Sequence, residues 1–294
     1  MSSDIRRSGD APVKTVMLMV DGFGVPEEGW RGSVFERYCV PGFVEIFEEF
    51  SIPVDPGMGV PGIPQSATGQ TALFTGENAA SLMGAHLQGF PGPALRDLIA
   101  RRNIFSRLAA KGLSATFANA YVRYTVEELA GMRMRSVTTV MAESALGAVR
   151  GADDLRGGRA VYHDLTRRSV ADAGIDPITP EKAAEHLLAV AEEYDFTLFE
   201  YFLTDRAGHK GDPAFLAETL RELSGFFMAL MEMAGDDFAI VLTSDHGNCE
   251  KPDTKGHTRN PVPFLLIGAD PAAPPAKTPV PIEEVIRMLP VEMD

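Results

Sequence analysis

The stretch LTSDHGNCEKPDTKGHTRNPVPF, residues 242–264, begins at the end of an apolar run and places Asp245, His246 and His257 in the polar segment after it. Carboxylate and imidazole groups clustered in this way are typical ligands of a divalent metal ion. The segment then leads into a second apolar run, as expected for a loop at the end of buried strands. A metal site at a strand end is therefore the first hypothesis.

Two further apolar runs end on residues of the same kind. Asp21 follows TVMLMV, and Asp205 with His209 follows FTLFEYFLT. The carboxyl ends of parallel strands share one edge of an open sheet, and ligands bind at that edge. Together with Asp245, His246 and His257, these residues make six candidate ligands. They are therefore expected to converge and to hold two metal ions.

The order of apolar runs and helical patterns predicts the fold class. Runs 15–20, 196–204, 238–243 and 262–267 are short and almost continuously apolar, as buried parallel strands are. Amphipathic helical patterns separate them. The sequence thus predicts an α/β fold with a mostly parallel central sheet flanked by helices. The segment DRAGH, 205–209, is expected to be a loop, because it contains Gly208 and is followed by KGDP at 210–213.

Residues 122–178 break this alternation and predict a small inserted cap within a core of 14–121 and 179–294, after a flexible N-terminus at 1–13. The insert has no lysine. It has eight arginines: Arg123, Arg133, Arg135, Arg150, Arg156, Arg159, Arg167 and Arg168. Either they form a lid that holds a phosphate or carboxylate of the substrate, or they are only an arginine-rich surface. Arg159, Arg167 and His86 are candidate substrate contacts, whereas His163 is expected to be structural.

Composition excludes several classes of function. The formal charge of −14 argues against a nucleic-acid-binding protein, which usually has a basic patch. Cys39 and Cys249 are too few for a disulfide framework and favour the cytoplasm. No secretory signal and no apolar segment of the ~18 residues that a membrane span needs is evident. The oligomeric state is not indicated.

The segment PGMGVPGIPQSATGQ, 56–70, gives way to TALFTG and predicts a loop that turns into a helix near Ser66. Free backbone N–H groups and the helix dipole favour an anion at that position, so a phosphate could dock against Ser66. Ser66 could instead be a simple N-cap residue. Thr68 and Thr71 are alternative hydroxyl groups nearby.

Five segments in this order resemble the alkaline phosphatase superfamily, and within it the branch of cofactor-independent phosphoglycerate mutases and phosphopentomutases. They are MVDGFG, QSATGQTALFTG, DRAGH, SDHGN and GHTRNPVPF. The resemblance implies two sets of metal ligands: Asp21, Ser66, Asp245 and His246 in one, and Asp205, His209 and His257 in the other.

The resemblance also favours Ser66 as the nucleophile, because members of the superfamily place the attacking residue nine positions before a Thr-Gly pair, here Thr75 and Gly76. Two features depart from the mutase pattern. Gln70 stands where the mutase motif has a histidine, and the 57 residues of the insert are far fewer than those of the mutase's inserted domain. Sulfatases have a proline and an arginine where this chain has Thr68 and Gln70.

The expected function is two-metal phosphoryl transfer through a phosphoserine, most simply by a phosphomonoesterase acting on a small phosphorylated metabolite. The short insert favours hydrolysis, while its arginines favour the alternative of a phosphomutase. A phosphodiesterase, a phosphonate-cleaving enzyme and a non-catalytic metal-binding protein are further alternatives. The resemblance favours Mn²⁺, and the ligand types also suit Zn²⁺ or Mg²⁺.

Overall fold

The computed structural model describes residues 13–268 and 279–291, so most of the predicted flexible N-terminus, residues 1–12, lies outside the described residues. One seven-stranded sheet runs through the described part, in the spatial order third, fourth, first, fifth, sixth, second, seventh. Its strands are β1 Lys14–Val20, β2 Ile52–Asp55, β3 Ala115–Phe117, β4 Phe196–Tyr201, β5 Phe238–Thr243, β6 Val262–Ile267 and β7 Val280–Pro281.

The sheet is mostly parallel, as predicted. Strands β3, β4, β1 and β5 run in one direction, and Thr15 of β1 lies between Phe196 of β4 and Ala239 of β5. Strand β6 is antiparallel to both β5 and β2, so the expectation of a parallel strand at 262–267 is wrong. A parallel crossover needs a connection that returns to the opposite edge, usually through a helix. The loop from β5 to β6 has only a 3₁₀ turn and stays at one edge.

Helices flank the sheet on both faces. None in the described ranges is long and apolar enough to cross a membrane. The α-helices are α1 Val34–Tyr38, α2 Phe43–Phe50, α3 Ser66–Thr75, α4 Ala79–Met83, α5 Pro93–Arg101, α6 Ile104–Ala110, α7 Val126–Gly131, α8 Val137–Leu146, α9 Ala152–Arg156, α10 Pro180–Ala191, α11 Leu203–Lys210 and α12 Pro213–Ala234. The 3₁₀ helices are Arg168–Ala173, Pro252–Thr254 and Ile282–Met288.

Each face of the sheet packs against its own hydrophobic cluster. Successive side chains of a strand point to opposite faces. Val16 and Leu18 of β1 therefore join the cluster under α10 and α12, while Met17 and Met19 join the cluster under α3, α5 and α6. Because both faces are covered, the central strands are apolar at nearly every position.

Residues 122–178, predicted as an insert, contribute to three hydrophobic clusters. Helix α8 packs on α5 and α6, and its Val137 and Met141 belong to the cluster under α3, α5 and α6. Val161 and Leu165 belong to the cluster under α10 and α12. A small separate cluster surrounds Leu155, Val170 and Ile175. The segment is therefore anchored to both faces of the core.

The segment 205–209 is helical, so the expectation of a loop there is wrong. Helix α11 starts directly after β4 and ends only at Gly211, which has the left-handed conformation of a C-terminal cap, with φ of 61°. Gly208 lies within the helix because its lack of a Cβ leaves room for Asn248: a Cβ on Gly208 would meet Asn248 Oδ1 at 2.2 Å. As a result, Asp205 and His209 lie four residues apart on one helical face.

Candidate metal centre

One edge of the sheet collects the predicted ligands. Strands β1, β4 and β5 end there, followed respectively by Asp21, by helix α11, and by Asp245 with His246. Strand β6 runs the other way and begins at this edge, so the loop before it brings His257 to the same place. The antiparallel β6 thus completes the site rather than disrupting it.

The first cluster joins Ser66 to the ends of β1 and β5. His246 Nε2 lies 2.9 Å from Ser66 Oγ, 3.2 Å from Asp21 Oδ1 and 3.6 Å from Asp245 Oδ2. Asp21, Asp245 and His246 are all buried, and each offers a ligand atom within 4.8 Å of the others. These four residues form the first ligand set that the resemblance implies.

The second cluster joins helix α11 to the loop before β6. Asp205 lies 3.4 Å from His209 Nε2 and 3.3 Å from His257 Nε2, and the two imidazole nitrogens are 3.0 Å apart. The rings of His246 and His257 stack with centroids 3.8 Å apart. The two clusters are therefore in direct contact.

The charges of the first cluster favour a cation among its members. Burial and the charge of Asp245 raise the pKa of the Asp21 carboxyl well above its ordinary value. Burial alone would lower the pKa of His246, but the charges of Asp245 and Asp21 raise it to about 10. The charges of Asp245 and Asp21 thus favour a positive charge at this completely buried position.

The second cluster favours the charged form of its carboxylate. Burial would raise the pKa of Asp205, but the hydrogen bond with His257 and the charge of His246 lower it to about 2.

These residues fit divalent metal ions. Asp21 Oδ1 is buried and makes no hydrogen bond of good geometry among the described residues, although His246 lies close by. Carboxylate and imidazole ligands of this kind suit Mn²⁺, Zn²⁺ or Mg²⁺. The predicted ligands are brought together as two adjacent groups, one of Asp21, Asp245 and His246, and one of Asp205, His209 and His257.

Ser66 is the first residue of α3, and Gln65 occupies the N-cap position without a side-chain hydrogen bond. The simple N-cap role for Ser66 is therefore not what the structure has. The alternative hydroxyls are engaged elsewhere: Thr68 Oγ1 donates to Gln65 O at 3.2 Å, and Thr71 Oγ1 donates to Ala67 O at 2.6 Å. Of the three hydroxyls, Ser66 is the one that contacts the ligand cluster.

Helix α3 reaches the cluster because Gly69 lets it approach the end of β5. A Cβ at this position would meet Asp245 O at 2.6 Å. One residue later, Gln70 Nε2 donates to Asp21 Oδ2 at 3.2 Å and to Asp245 Oδ2 at 3.1 Å. Where the mutase motif has a histidine, this chain therefore has an amide that joins the carboxylates of two strands.

A cavity of 720 Å³ opens from the cluster toward the inserted segment. Asp21, Ser66 and Asp205 line its inner end, and residues 119–124, which include the start of the segment 122–178, line its outer part. Its size falls within the range of about 300–1,000 Å³ that is typical of ligand pockets. The candidate nucleophile thus faces a space that can admit a small molecule.

The three candidate substrate contacts do not line this cavity. His86 Nε2 lies 3.1 Å from Val60 O, Arg159 pairs with Asp154 at 3.3 Å, and a guanidinium N–H of the buried Arg167 lies 2.8 Å from His186 Nδ1. The structure therefore places His86, Arg159 and Arg167 outside the wall of this cavity. The cavity has Arg123, Arg206 and His163 in its wall instead, although His163 was expected to be structural.

Most of the arginines in the segment 122–178 have partners inside the protein. The hypothesis that they form a lid that holds a phosphate or carboxylate of the substrate is therefore not supported. Their partners are carboxylates in five cases, and backbone or other side-chain groups in two. The paired arginines are Arg123, Arg135, Arg150, Arg156, Arg159, Arg167 and Arg168.

Three polar residues at the site were missed by sequence reasoning. Glu200 is a single acidic residue inside the apolar run of β4, which is a visible signal of a special role. Asn248 Nδ2 donates to Asp205 Oδ1 at 2.6 Å. Glu250 accepts from the backbone N–H groups of Gly24 and Asn248 at 3.1 and 2.8 Å, and so ties the loop after β1 to the loop after β5. No local pattern marks the last two.

Comparisons with known proteins show similarity to a family of metalloenzymes. Residues 175–280 match the Metalloenzyme superfamily. The chain is similar to the 2,3-bisphosphoglycerate-independent phosphoglycerate mutase of Roseobacter denitrificans, with 34% identity over 133 residues, which is 39% of this chain and 26% of the mutase. The enzyme of the same name from Dinoroseobacter shibae is 38% identical over 106 residues, covering 31% of this chain and 21% of that enzyme.

The alignments with these curated relatives span only about a quarter of each relative's length. Among solved structures, the alkaline phosphatase from the Antarctic bacterium TAB5 has the same fold, with a TM-score of 0.57 and 11% identity. That match covers 95% of this chain and 97% of the phosphatase chain. The fold is thus shared over almost the full chain, whereas sequence similarity is confined to a part of it.

Replacing Gln70 by methionine should destabilise the metal-free protein. The substitution keeps the length of the side chain but removes both N–H donors from the Asp21 and Asp245 carboxylates, at a cost of about 3 kcal/mol. Urea unfolding after chelation measures this loss, and refilling with Mn²⁺ should reduce it because a bound cation neutralises the carboxylates. Gln88→Met, on the surface, is the matched control. Equal stability of the two chelated variants would contradict the bridging role.

Glu200 should make stability depend on pH. Burial raises the pKa of Glu200 from 4.5 to about 7. Between these values the folded protein binds more protons than the unfolded chain, so the free energy of unfolding falls as the pH rises. Relative to Glu200→Gln, the metal-free wild type should lose about 3 kcal/mol between pH 4.5 and 7.5. Urea unfolding at several pH values measures this difference. The exposed Glu49→Gln should not change the slope; a slope unchanged in Glu200→Gln as well would disprove the assignment.

Proposed function

We propose that this chain, which belongs to the alkaline phosphatase superfamily, is a metal-dependent phosphomonoesterase that transfers a phosphoryl group to Ser66 and then to water. The observation that carries the proposal is the position of Ser66. Its hydroxyl lies at the start of α3, 2.9 Å from His246, between a cluster of metal-ligand residues and an open cavity. The proposed substrate is a small phosphorylated metabolite.

Two divalent metal ions are proposed, the first held by Asp21, Ser66, Asp245 and His246, and the second by Asp205, His209 and His257. Mn²⁺ is the favoured ion, and Zn²⁺ or Mg²⁺ is possible. When bound, such ions lower the pKa of a coordinated hydroxyl, neutralise phosphoryl oxygens and stabilise the leaving oxygen.

In the proposed first step, Ser66 Oγ forms a bond to phosphorus, and the bond from phosphorus to the leaving alcohol breaks. The start of α3 has no side-chain cap, so its backbone N–H groups are available to the phosphoryl oxygens. Gln70 holds the carboxylates of Asp21 and Asp245 in place through its two hydrogen bonds. The alcohol leaves with a proton, and phosphoserine remains.

In the proposed second step, a water oxygen bonds to phosphorus and the Ser66 Oγ bond breaks. Inorganic phosphate is released, and a proton from the water restores the serine hydroxyl. Asn248 keeps the Asp205 carboxylate oriented for this step, because its amide donates to both the side chain and the backbone of Asp205. The step is the reverse of the first, with water in place of the alcohol.

A phosphomutase is the second candidate, favoured by the similarity to phosphoglycerate mutases. A mutase would return the phosphoryl group to another hydroxyl of the same substrate rather than to water. Against it stands the engagement of most insert arginines with partners of the protein itself, which leaves few cations to retain an anionic intermediate. Phosphate release and isomer formation, measured together, distinguish the two activities.

The segment 122–178 is proposed to act as a cap over the cavity. Val122, Arg123, Tyr124 and Tyr162 contribute to its wall, and α8 anchors the segment to the core. The core is then formed by 14–121 and 179–294. This assignment is supported by the position of the segment at the outer end of the cavity, opposite Ser66.

Replacing Ser66 by alanine should reduce phosphate release by at least about 10⁴-fold, because it removes the attacking oxygen. It should leave metal in the second cluster, whose ligands it does not touch. Phosphate release from p-nitrophenyl phosphate, phosphoserine detection by mass spectrometry and metal content after gel filtration give the three readouts. The control Thr68→Val removes a neighbouring hydroxyl that does not contact the cluster and should keep phosphoserine formation. Full activity of Ser66→Ala would disprove the nucleophile assignment.

Replacing His257 by alanine should weaken one metal ion and slow the release of phosphate from the phosphoenzyme. The variant loses a nitrogen 3.3 Å from Asp205 and 3.0 Å from His209, while the ligands of the first cluster remain. Rapid-quench measurements should show phosphoserine formed in the first turnover and then accumulating. An unchanged metal content together with an unchanged rate of dephosphorylation would remove His257 from the second ligand set.

A further inference from the structure

The cavity has a wall of aromatic side chains. Six of them line it: Phe90, Phe117, Tyr121, Tyr124, Tyr162 and Phe202. Two of these, Phe90 and Tyr124, are each 50% exposed. Large, half-exposed aromatic side chains at the edge of a cavity indicate a binding site in which the ligand covers them.

Two of the three basic side chains in this wall provide little net positive charge. Arg123 donates to both carboxylate oxygens of Asp172, at 3.1 and 3.3 Å. The ring of His163 stacks on Phe202 with centroids 4.5 Å apart, and burial lowers the pKa of His163 to about 4, so it is neutral at physiological pH. Arg206, on the exposed face of α11, is the remaining cation of the wall among the described residues.

The wall offers little positive charge to a second anionic group. A carboxylate on the substrate would have the exposed Arg206 as its cationic partner among the described residues, because Arg123 is engaged with Asp172. Sites that hold a carboxylate or a second phosphate usually provide bidentate guanidinium groups free of other partners. The positive charge of the proposed metal ions at the inner end would be used by the transferred phosphoryl group.

We propose that the substrate is a phosphate monoester whose leaving group is an uncharged alcohol with a flat apolar body, rather than a phosphoglycerate or a pentose phosphate. The phosphoryl group lies at Ser66, and the apolar body lies between Phe90, Tyr124 and the inner aromatic residues. The volume of 720 Å³ leaves room for a ring system beyond the phosphoryl group. The inference rests on the proposed function for phosphoryl transfer, and it adds the class of the leaving group.

The test compares esters whose leaving groups are similar in acidity, so that recognition is separated from leaving-group chemistry. The Mn²⁺-loaded protein is given 2-phenylethyl phosphate, ethyl phosphate and 3-phosphoglycerate, and phosphate release is measured. The kcat/KM for 2-phenylethyl phosphate should exceed that for each of the other two by at least about tenfold, because only its ring covers the aromatic wall. Equal values, or a preference for 3-phosphoglycerate, would overturn the proposal.

Variants of the exposed aromatic residues locate the effect. Phe90→Ala and Tyr124→Ala remove half-exposed side chains and should leave the fold intact. Each should raise KM for 2-phenylethyl phosphate several-fold, with KM for ethyl phosphate unchanged. Leu82→Ala removes an exposed apolar side chain that does not line the cavity and should change neither value. If the two aromatic variants behave as Leu82→Ala does, the inference is wrong.

A binding measurement separates this inference from the proposed activity. Saturation-transfer NMR with 2-phenylethanol needs no catalysis. If no ester is turned over but the alcohol binds to the wild type and not to the Phe90→Ala Tyr124→Ala double variant, the proposed activity fails and the apolar site stands. If esters are turned over but 2-phenylethanol binds equally to both proteins or to neither, the activity stands and the leaving-group assignment fails.

Discussion

The repulsion between carboxylates at one edge of the sheet is the constraint on which the site depends. Asp21, Asp205 and Asp245 follow three parallel strands, and the sheet forces their side chains together. Three polar neighbours counteract this repulsion: His246 has a raised pKa, the Gln70 amide donates to two of the carboxylates, and the Asn248 amide donates to the third. Divalent cations at this edge would neutralise the charge that these groups only partly balance.

Bringing these groups together also requires close packing of the backbone around them. Gly69 allows α3 to reach the end of β5, and Gly22, with φ of 70°, allows the loop after β1 to pass against Asp205. The buried Glu250 then joins that loop to the loop after β5 through backbone N–H groups. The candidate nucleophile is consequently placed by rigid elements and short loops, as a preorganised catalytic group requires.

The inner and outer ends of the cavity have different chemistry. At the inner end lie the ligand clusters and the start of α3. At the outer end, aromatic residues from the core and from the segment 122–178 provide an apolar wall, and the arginines of that segment are mostly engaged with acidic or backbone partners. The polar end of the cavity is thus built by the core, whereas its apolar wall is built jointly by the core and the segment 122–178.

The sequence by itself determined the apolar strands, the helix starting at Ser66 and the identity of the clustered ligands, because each depends on a pattern within a few residues. It also implied their convergence, since strand ends of a parallel sheet share one edge. Tertiary structure decided that 205–209 is helical, where Gly208 serves the close packing of Asn248 against the helix and does not mark a loop. It likewise decided the antiparallel β6, and that Arg159 and Arg167 bond to Asp154 and His186. Such partners come from segments whose proximity depends on how the chain packs, and no local spacing encodes it.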